Sequence, residues 1–378
     1  MSRRLSDVGN LYEFIKNEEQ KSLCTMSFLS EKYQDLTEWK KEARFKIRNL
    51  LHYSPKRCDL NPQVVEKKDK GDYFQEKVYF FTASKVRVPA YVLIPKNVDY
   101  PVPGIVVLHD HGGMYYWGKE KVVETENEHP MLQEFKNKCY SGRSIANELV
   151  RRGYVAISID AFYFGERRFI PHPASQEYKL LQKVKNDSSK YIELYNRISW
   201  EKEELVARTI FLSGFTWPGV MLWDDIRTVD YLTSRYEVDP DRIGCVGLSI
   251  GGYRAAHLSA LDERIKVSCV VCWMSSYRPM IKKHVKYHTW MIYIPGLYKY
   301  LDLPDIVSLT APNALLVIAG SKDPIFPLEG VKMAFKKIEK VYLKANVGHK
   351  FRGLIYNTPH EFNAEMQDYA YRWIQKWI

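Results

Sequence analysis

The stretch that decides the fold is Asp241-Arg242-Ile243-Gly244-Cys245-Val246-Gly247-Leu248-Ser249-Ile250-Gly251-Gly252. The apolar run at 243–246 has the length and β-branching of a buried strand. A G-x-S-x-G motif follows it, and the residues after the motif, 253–258, are compatible with a helix. Strand, sharp turn and helix are the context in which such a motif projects its serine from the end of a sheet. We therefore predict Ser249 as a nucleophile and the backbone N–H of Ile250 as an oxyanion donor.

Strands and helices alternate on both sides of this motif. The predicted strands are 78–81, 86–95, 104–108, 154–160, 267–273, 314–319 and 341–343; the predicted helices are 145–152, 221–236, 331–338 and a last one at the carboxyl end. This alternation predicts an α/β fold with a mostly parallel, doubly wound sheet. We expect residues 1–71 to form an N-terminal helical extension that ends in a polar connection at 61–71. Residues 72–378 then form the main domain, with a charged helical insertion, or lid, at about 161–219.

Composition and charge narrow the functional classes. The 378 residues are 46% hydrophobic and 27% charged, as in a globular enzyme, and no apolar run has the length of a membrane span. No apolar segment follows the basic residues at the N-terminus, which predicts a cytoplasmic protein without a signal peptide. The net charge of +11 is spread along the chain, so we expect neither a nucleic-acid nor a membrane partner. The six cysteines are scattered, which predicts reduced thiols.

A serine nucleophile needs a base and an acid that orients the base, and in this strand order they follow as acid and then histidine. Asp323 stands just after the predicted strand 314–319, whereas no acidic residue follows strand 267–273 before Asp302. We therefore predict Asp323 as the acid. Among the later histidines, His349 lies in a glycine-bearing loop after the last predicted strand, while His360 looks like a cap of the final helix. This placement predicts His349 as the base.

A second oxyanion donor is expected beside the sharp turn that carries Ser249, which we call the elbow. His109-Asp110-His111-Gly112-Gly113 ends the strand that should lie next to the elbow strand. The backbone N–H of His111 or of Gly112 is the predicted donor. His109 and His111 also have the spacing of metal ligands on a strand, but no third ligand stands at metal spacing. We therefore predict no metal site here.

A larger set of motifs resembles one family. It comprises 88–95, 108–113, Asp160 with 164–167, 223–225, 247–252, 260–264, 320–323 and 348–349, in order over about residues 72–378. Together they resemble the dienelactone hydrolase-like and acetyl xylan esterase-like branch of the α/β-hydrolase superfamily. The resemblance implies the α/β-hydrolase fold and hydrolysis of acyl esters, often of acetylated carbohydrates, without metal or organic cofactor. Two features depart from the branch: the nucleophile is serine rather than the cysteine of dienelactone hydrolases, which disfavours lactone opening, and no export signal is seen.

The resulting expectation is a carboxylic ester hydrolase with a Ser-Asp-His triad and a small-molecule or carbohydrate ester as substrate. Pocket walls are expected from the insertion before Trp217 and from the segment 273–293, in particular from Trp273, Met274, Tyr277 and Trp290. Two alternatives remain open at this point: cleavage of an amide or C–C bond by the same triad, and a non-catalytic binding protein with this fold. The sequence leaves the natural acyl group, the alcohol and the oligomeric state undetermined.

Overall fold

The computed structural model describes residues 6–21 and 24–378, and within them a single sheet carries nine strands. Their bounds are β1 Gln63–Asp69, β2 Tyr73–Ala83, β3 Val86–Pro95, β4 Val102–Leu108, β5 Val155–Ile159, β6 Val238–Leu248, β7 Ile265–Val271, β8 Ala314–Gly320 and β9 Phe351–Tyr356. The spatial order is β1-β2-β3-β5-β4-β6-β7-β8-β9. Strands β1, β2 and β3 pair antiparallel, as does β3 with β5, and the remaining neighbours are parallel. The predicted mostly parallel α/β fold is confirmed.

Helices cover both faces of this sheet. Within the described residues they are α1 Tyr12–Glu19, α2 Leu36–Leu51, α3 Pro130–Tyr140, α4 Ile145–Val150, α5 Gln176–Leu181, α6 Ser189–Leu212, α7 Trp217–Thr233, α8 Ile250–Leu261, α9 Tyr277–Ile281, α10 Leu303–Ser308, α11 Leu328–Lys344 and α12 Ala364–Trp377. Alternate strand residues face opposite layers, because side chains point to opposite faces along a strand. Val107 and Val271 pack in the core beneath α4 and α12, whereas Val106 and Val270 pack in the larger core beneath α2, α7 and α8.

The N-terminal helix α2 is docked on the main sheet layer by its apolar stripe and by its cations. Trp39, Ala43 and Ile47 recur at a spacing of four residues and are fully buried. The ammonium group of Lys40 donates to the carbonyl of Ala311, and other basic side chains of α2 reach the end of α8. This buried stripe explains how a polar-faced helix is held on the hydrophobic core.

Two local predictions are wrong. Residues 341–343, predicted as a strand, form the end of α11, where Val341 and Tyr342 are buried and Leu343 is exposed. Three consecutive apolar residues satisfied the strand pattern although the longer helical period continues through them. Residues 61–71, predicted as a connection, contain β1, an exposed edge strand paired with β2. The expected boundary at residue 71 therefore falls inside a hairpin.

The register of the parallel strands brings five strand ends to one edge. Leu108 pairs with Gly247, Leu248 with Val271, Val271 with Ile318, and Gly320 with Tyr356. Residues that follow β4, β6, β7, β8 and β9 consequently meet at this carboxyl edge, which is where open α/β sheets bind ligands.

The cysteines, the helices and the N-terminal segment bear on the remaining predictions. All six cysteines are free thiols. No single helix in the described ranges is long and apolar enough to cross a membrane; α6 and α7 would pass that test of length and composition only together, bent by 85°. Residues 1–5, which belong to the segment where a signal peptide was sought, lie outside the described residues.

Candidate active site

Ser249 occupies the sharp turn between β6 and α8. Its backbone has φ 58° and ψ −121°, a conformation that non-glycine residues rarely adopt and that often marks a functional turn. The turn is held by the N–H of Ser249, which donates to the carbonyl of Val271 at 2.9 Å. The flanking glycines are required by space, because a Cβ on Gly251 would lie 2.0 Å from the carbonyl oxygen of Leu108. A Cβ on Gly247 would meet the backbone of Gly251 at 2.3 Å.

Asp323 lies in the loop after β8 and is hydrogen bonded to a histidine. Nδ1 of His360 donates to Oδ2 of Asp323 at 2.6 Å. The other carboxylate oxygen accepts the backbone N–H of Ile325 at 2.9 Å, which fixes the carboxylate plane. Because Nδ1 carries the proton, the neutral imidazole has its free lone pair on Nε2, and this atom is buried without a hydrogen-bond partner among the described residues. An unpartnered basic nitrogen beside a serine is the arrangement that general-base catalysis needs.

His349, the histidine expected at this place, lies elsewhere. It is exposed in a short turn before β9, and its ring packs against Trp377 with centroids 5.9 Å apart. The prediction depended on a last strand at 341–343, but the last strand is Phe351–Tyr356, so the loop at the carboxyl edge follows residue 356. His360 stands in that loop, and the cap of the final helix that it was expected to provide is supplied by Asn363. His360 therefore replaces His349 as the partner of Asp323.

The segment after β4 contributes backbone donors to the same edge. His111 and Gly112 line the cavity at Ser249 together with Ile250, the first residue of α8. First-turn amides of a helix have no intrahelical acceptor. Among the described residues, the N–H groups of His111 and Gly112 likewise donate to no protein acceptor. The structure thus brings together Ser249, Ile250 and His111 as the sequence predicted.

The cavity above Ser249 has a volume of about 220 Å³. It is lined by Asp110, His111, Gly112, Gly113, Cys139, Trp200, Leu248, Ser249, Ile250, Trp273, Tyr287, His288, Thr289, Ile325 and His360. Of the four expected wall residues, only Trp273 is among these. Met274 is buried in the core, Tyr277 packs on Tyr298, and Trp290 packs on Tyr293.

Trp200, Tyr287 and His288 also line the cavity; the sequence did not single them out, although it indicated the two segments that carry them. Trp200 projects from α6, and Tyr287 and His288 come from the segment between α9 and α10. The ring of His288 packs on Trp273 and Phe326, with centroid distances of 5.6 and 5.1 Å. Burial, together with the nearby His284 and His360, lowers the pKa of His288 to about 4. His288 is consequently a neutral, mostly apolar wall at physiological pH.

Glu203 of α6 joins the insertion to the segment after β4. Its buried carboxylate accepts hydrogen bonds from the Tyr115 hydroxyl at 2.6 Å, from Nε2 of His111 at 3.2 Å, from the backbone N–H of Trp290 at 2.7 Å and from the Thr289 hydroxyl. Burial raises the pKa of this carboxyl, but the bonds from His111 and the hydroxyls outweigh burial and hold the pKa below its usual value. Glu203 therefore stays ionised and fixes three segments around the cavity.

Two groups of three side chains have the spacing of a metal site in the described residues. In the first, Glu120, Asp160 and Glu166 surround the ammonium of Lys119, at 2.9, 2.9 and 2.8 Å, which already supplies the cation. The second is the Asp323–His360 pair with Cys272. Burial, reinforced by Asp323, raises the pKa of the Cys272 thiol, which disfavours the thiolate that metals bind.

A groove of about 1140 Å³ lies away from these groups. It lies between α2 and α7 at the amino ends of β7 and β8, and its lining is rich in lysine and arginine. It contains neither Ser249 nor the Asp323–His360 pair. The smaller cavity is consequently the candidate active site, because Ser249, the unpartnered Nε2 of His360 and free N–H groups converge there.

Comparisons with known proteins agree with this architecture. The model of the Abhydrolase family matches residues 2–352. The protein named "Putative hydrolase YtaP" of Bacillus subtilis is 28% identical over 338 residues, which cover 89% of this chain and 99% of that protein. A structure described as a putative acetyl xylan esterase from Bacteroides fragilis superposes with a TM-score of 0.70 at 19% identity, covering 93% of this chain and 84% of that one. A glucuronoyl esterase from Solibacter usitatus gives a TM-score of 0.62 at 15% identity, covering 90% and 93%.

Proposed function

The chain belongs to the Abhydrolase family, and on that premise we propose that it is a serine hydrolase that cleaves carboxylic esters through an acyl-enzyme. One observation carries the proposal: the strained turn that projects Ser249 and the buried, unpartnered Nε2 of His360 face the same cavity. The hydrogen bond from His360 to Asp323 completes the nucleophile, base and orienter of a triad.

In the proposed mechanism, Oγ of Ser249 attacks the acyl carbon while Nε2 of His360 takes the hydroxyl proton. The tetrahedral intermediate collapses when the imidazolium gives that proton to the leaving alcohol. Water then repeats the sequence on the acyl-serine and releases the acid. Asp323 holds the tautomer of His360 and stabilises its positive form, without itself becoming protonated.

The negative charge of the tetrahedral intermediate would be bound by backbone N–H groups. Ile250 offers the first N–H of α8, whose dipole adds a partial positive charge at the same place. His111 and Gly112 offer free N–H groups from the other side of the cavity. Preorganised donors of this kind supply a large part of the rate enhancement, because they need no reorganisation during the reaction.

We infer a short acyl group and a carbohydrate or other small alcohol as the substrate class. Pockets for drug-sized ligands span about 300–1,000 Å³, and the cavity here has only about 220 Å³. Trp200, Trp273 and Tyr287 surround it, so a long acyl chain would meet aromatic walls. The carbohydrate alcohol is supported by the neighbouring structures, which are described as acetyl xylan and glucuronoyl esterases.

The test is a series of aryl esters with acetyl, butyryl and palmitoyl groups, assayed with the wild type and with Ser249→Ala. We expect kcat/KM to be highest for the short esters, since each fitting methylene contributes about 1–3 kcal/mol and a longer chain meets the walls. Ser249→Ala should fold normally, lose ester hydrolysis by several orders of magnitude and lose labelling by a fluorophosphonate. A folded Ser249→Ala protein with wild-type turnover would contradict the proposal, and a preference for palmitoyl esters would contradict the acyl assignment.

A further inference from the structure

Lys121 lies directly behind the loop that carries two of the free N–H groups. It follows β4 in a short turn and is fully buried. Its ammonium donates to the carbonyl oxygens of Asp110 and His111, both at 2.9 Å. Two aromatic rings, Phe164 and Phe135, face the same ammonium at 4.7 and 5.6 Å from their centroids.

The two accepting carbonyls determine where two N–H groups point. In a trans peptide unit the C=O and N–H bonds point in opposite directions. The carbonyl of Asp110 shares its peptide unit with the N–H of His111, and the carbonyl of His111 shares its unit with the N–H of Gly112. Lys121 binds both carbonyls on its own side, so both N–H groups are directed away from it. Each carbonyl has one further donor: Nδ1 of His109 donates to Asp110 at 2.8 Å. The N–H of Met114 donates to His111 at 3.1 Å. His111 and Gly112 line the cavity at Ser249, so their N–H groups are the free donors described above.

Lys121 lacks the carboxylate partner that usually offsets the free-energy cost of burying an ammonium group. Lys119, two residues earlier, is equally buried but pairs with three carboxylates. Lys121 pairs with no carboxylate among the described residues, and its hydrogen-bond acceptors there are those two carbonyls. Burial lowers its pKa to about 8, with only partial opposition from Asp110. A buried, unpaired ammonium destabilises a fold, so its presence here points to a role in the site rather than in stability.

Resting on the proposed ester hydrolysis, we propose that Lys121 is a positioning residue that builds the oxyanion hole. It aims the N–H groups of His111 and Gly112 at the place where the oxyanion of the substrate forms. Its positive charge also polarises both peptide units in the direction that strengthens those donors. Lys121 itself touches neither the substrate nor Ser249; it acts through the backbone.

The experiment compares Lys121→Met with a matched control, Lys136→Met. Lys136 is also buried and donates to a backbone carbonyl, that of Val123, and it differs from Lys121 in pairing with a carboxylate, Glu128. It makes no hydrogen bond to residues 110–113. The readouts are kcat and KM for p-nitrophenyl acetate, and the rate of inactivation by a p-nitrophenyl alkylphosphonate. In the latter reaction Oγ of Ser249 attacks phosphorus, p-nitrophenolate leaves, and the charged phosphoryl oxygen takes the place of the oxyanion.

We expect Lys121→Met to lower kcat and the inactivation rate together, by about 10- to 100-fold, because misdirected oxyanion donors cost up to about 10²–10³ in kcat. KM should stay within about twofold, since the oxyanion donors bind the carbonyl oxygen of the bound ester more weakly than the oxyanion of the transition state. Lys136→Met should retain both rates. A folded Lys121→Met enzyme with wild-type kcat, or one whose kcat falls while its inactivation rate does not, overturns the proposal, as does an equal loss in Lys136→Met.

A second variant covers the case in which Lys121→Met does not fold. Lys121→Gln keeps a neutral donor that can reach one carbonyl, and we expect it to show the same joint loss in smaller measure. Wild-type rates in a folded Lys121→Gln enzyme would then overturn the proposal. Failure of the ester-hydrolase assignment is distinguishable, because in that case the wild type itself would not hydrolyse p-nitrophenyl acetate.

Discussion

Replacing either histidine at the carboxyl end tests which of them is the base. His360→Gln removes the imidazole that is hydrogen bonded to Asp323 at 2.6 Å and whose Nε2 is buried without a partner. Loss of the base in a serine triad lowers kcat by roughly four to six orders of magnitude, which corresponds to about 5–8 kcal/mol of transition-state stabilisation. His349→Gln removes an exposed ring that only packs on Trp377, so its effect on stability should stay within about 0.5 kcal/mol.

The assay is the hydrolysis of p-nitrophenyl acetate by both variants, with thermal unfolding recorded to verify that each is folded. We expect His360→Gln to be folded and nearly inactive, and His349→Gln to have wild-type kcat. Both variants replace histidine by glutamine, so a difference between their kcat values comes from the position of the histidine and not from the type of substitution. An inactive His349→Gln beside an active His360→Gln would refute the reasoning from the structure and restore the choice made from the sequence.

Three further predictions concern the acid, a buried ion pair and the pH dependence of stability. Asp323→Asn should lower kcat by up to roughly ten-thousandfold in the same ester assay, because the amide can favour the wrong imidazole tautomer. Asp225→Asn should lower the free energy of unfolding in urea by about 3–5 kcal/mol, because it leaves the guanidinium of Arg254, bonded at 2.5 and 3.0 Å, buried without its counter-charge. Burial lowers the pKa of His257 from 6.5 to about 4, so the stability it contributes above pH 6.5 is lost as the pH falls towards 4. His257→Phe should therefore reduce, by about 1 kcal/mol, the loss of unfolding free energy between about pH 7.5 and about pH 5.5.

Each of these has its own control. Asp302 caps α10 and accepts the N–H of Tyr277, so Asp302→Asn should change stability more than kcat. If Asp302→Asn instead lost kcat while Asp323→Asn retained it, Asp302 rather than Asp323 would be the acid. The double variant Asp225→Asn/Arg254→Met should be more stable than Asp225→Asn alone, and an additive loss would contradict the ion-pair argument. If the free energy of unfolding of His257→Phe fell with pH as much as that of the wild type, the loss of stability at acidic pH would come from other groups and the prediction would be wrong.

The positions of Ser249 and Asp323 at the ends of β6 and β8 could be predicted because their signals are local. The strand before Ser249 is a continuous apolar run, and the glycines around it are required by contacts of under 2.5 Å that no side chain could make. Asp323 follows an equally apolar strand, β8, every residue of which is buried. Central strands of a parallel sheet are covered on both faces, so their sequences are continuous apolar runs and their ends are easily located.

The position of His360, the proposed base, could not be predicted in this way, because β9 is an edge strand. It carries no fully buried residue, and Arg352 interrupts it. The preceding helix, α11, ends in three apolar residues that satisfy a strand pattern better than β9 does. The local signal was the run Asn357-Thr358-Pro359 before His360, whose composition is typical of a loop.

The predicted aromatic wall residues of the cavity differ from the observed ones for another reason. Tyr277 and Trp290 are near the site in sequence, but short helical turns direct their rings towards Tyr298 and Tyr293 instead. Which way a ring points in an irregular segment depends on the layer packed above it. Trp200 comes from that layer, α6, 49 residues before Ser249 in the sequence.

The carboxylate of Glu203 has a consequence for how such enzymes can be altered. It is the shared acceptor of the insertion helix, the loop beside the nucleophile and the segment at Thr289. Exchanging the insertion for that of a relative, in order to admit a larger acyl group, would therefore also remove the acceptor of His111. The insertion is not a separable module: a chimera that omits a carboxylate at position 203 should lose turnover on small and large esters alike, whereas one that retains it can change acyl preference while the loop at His111 keeps its place.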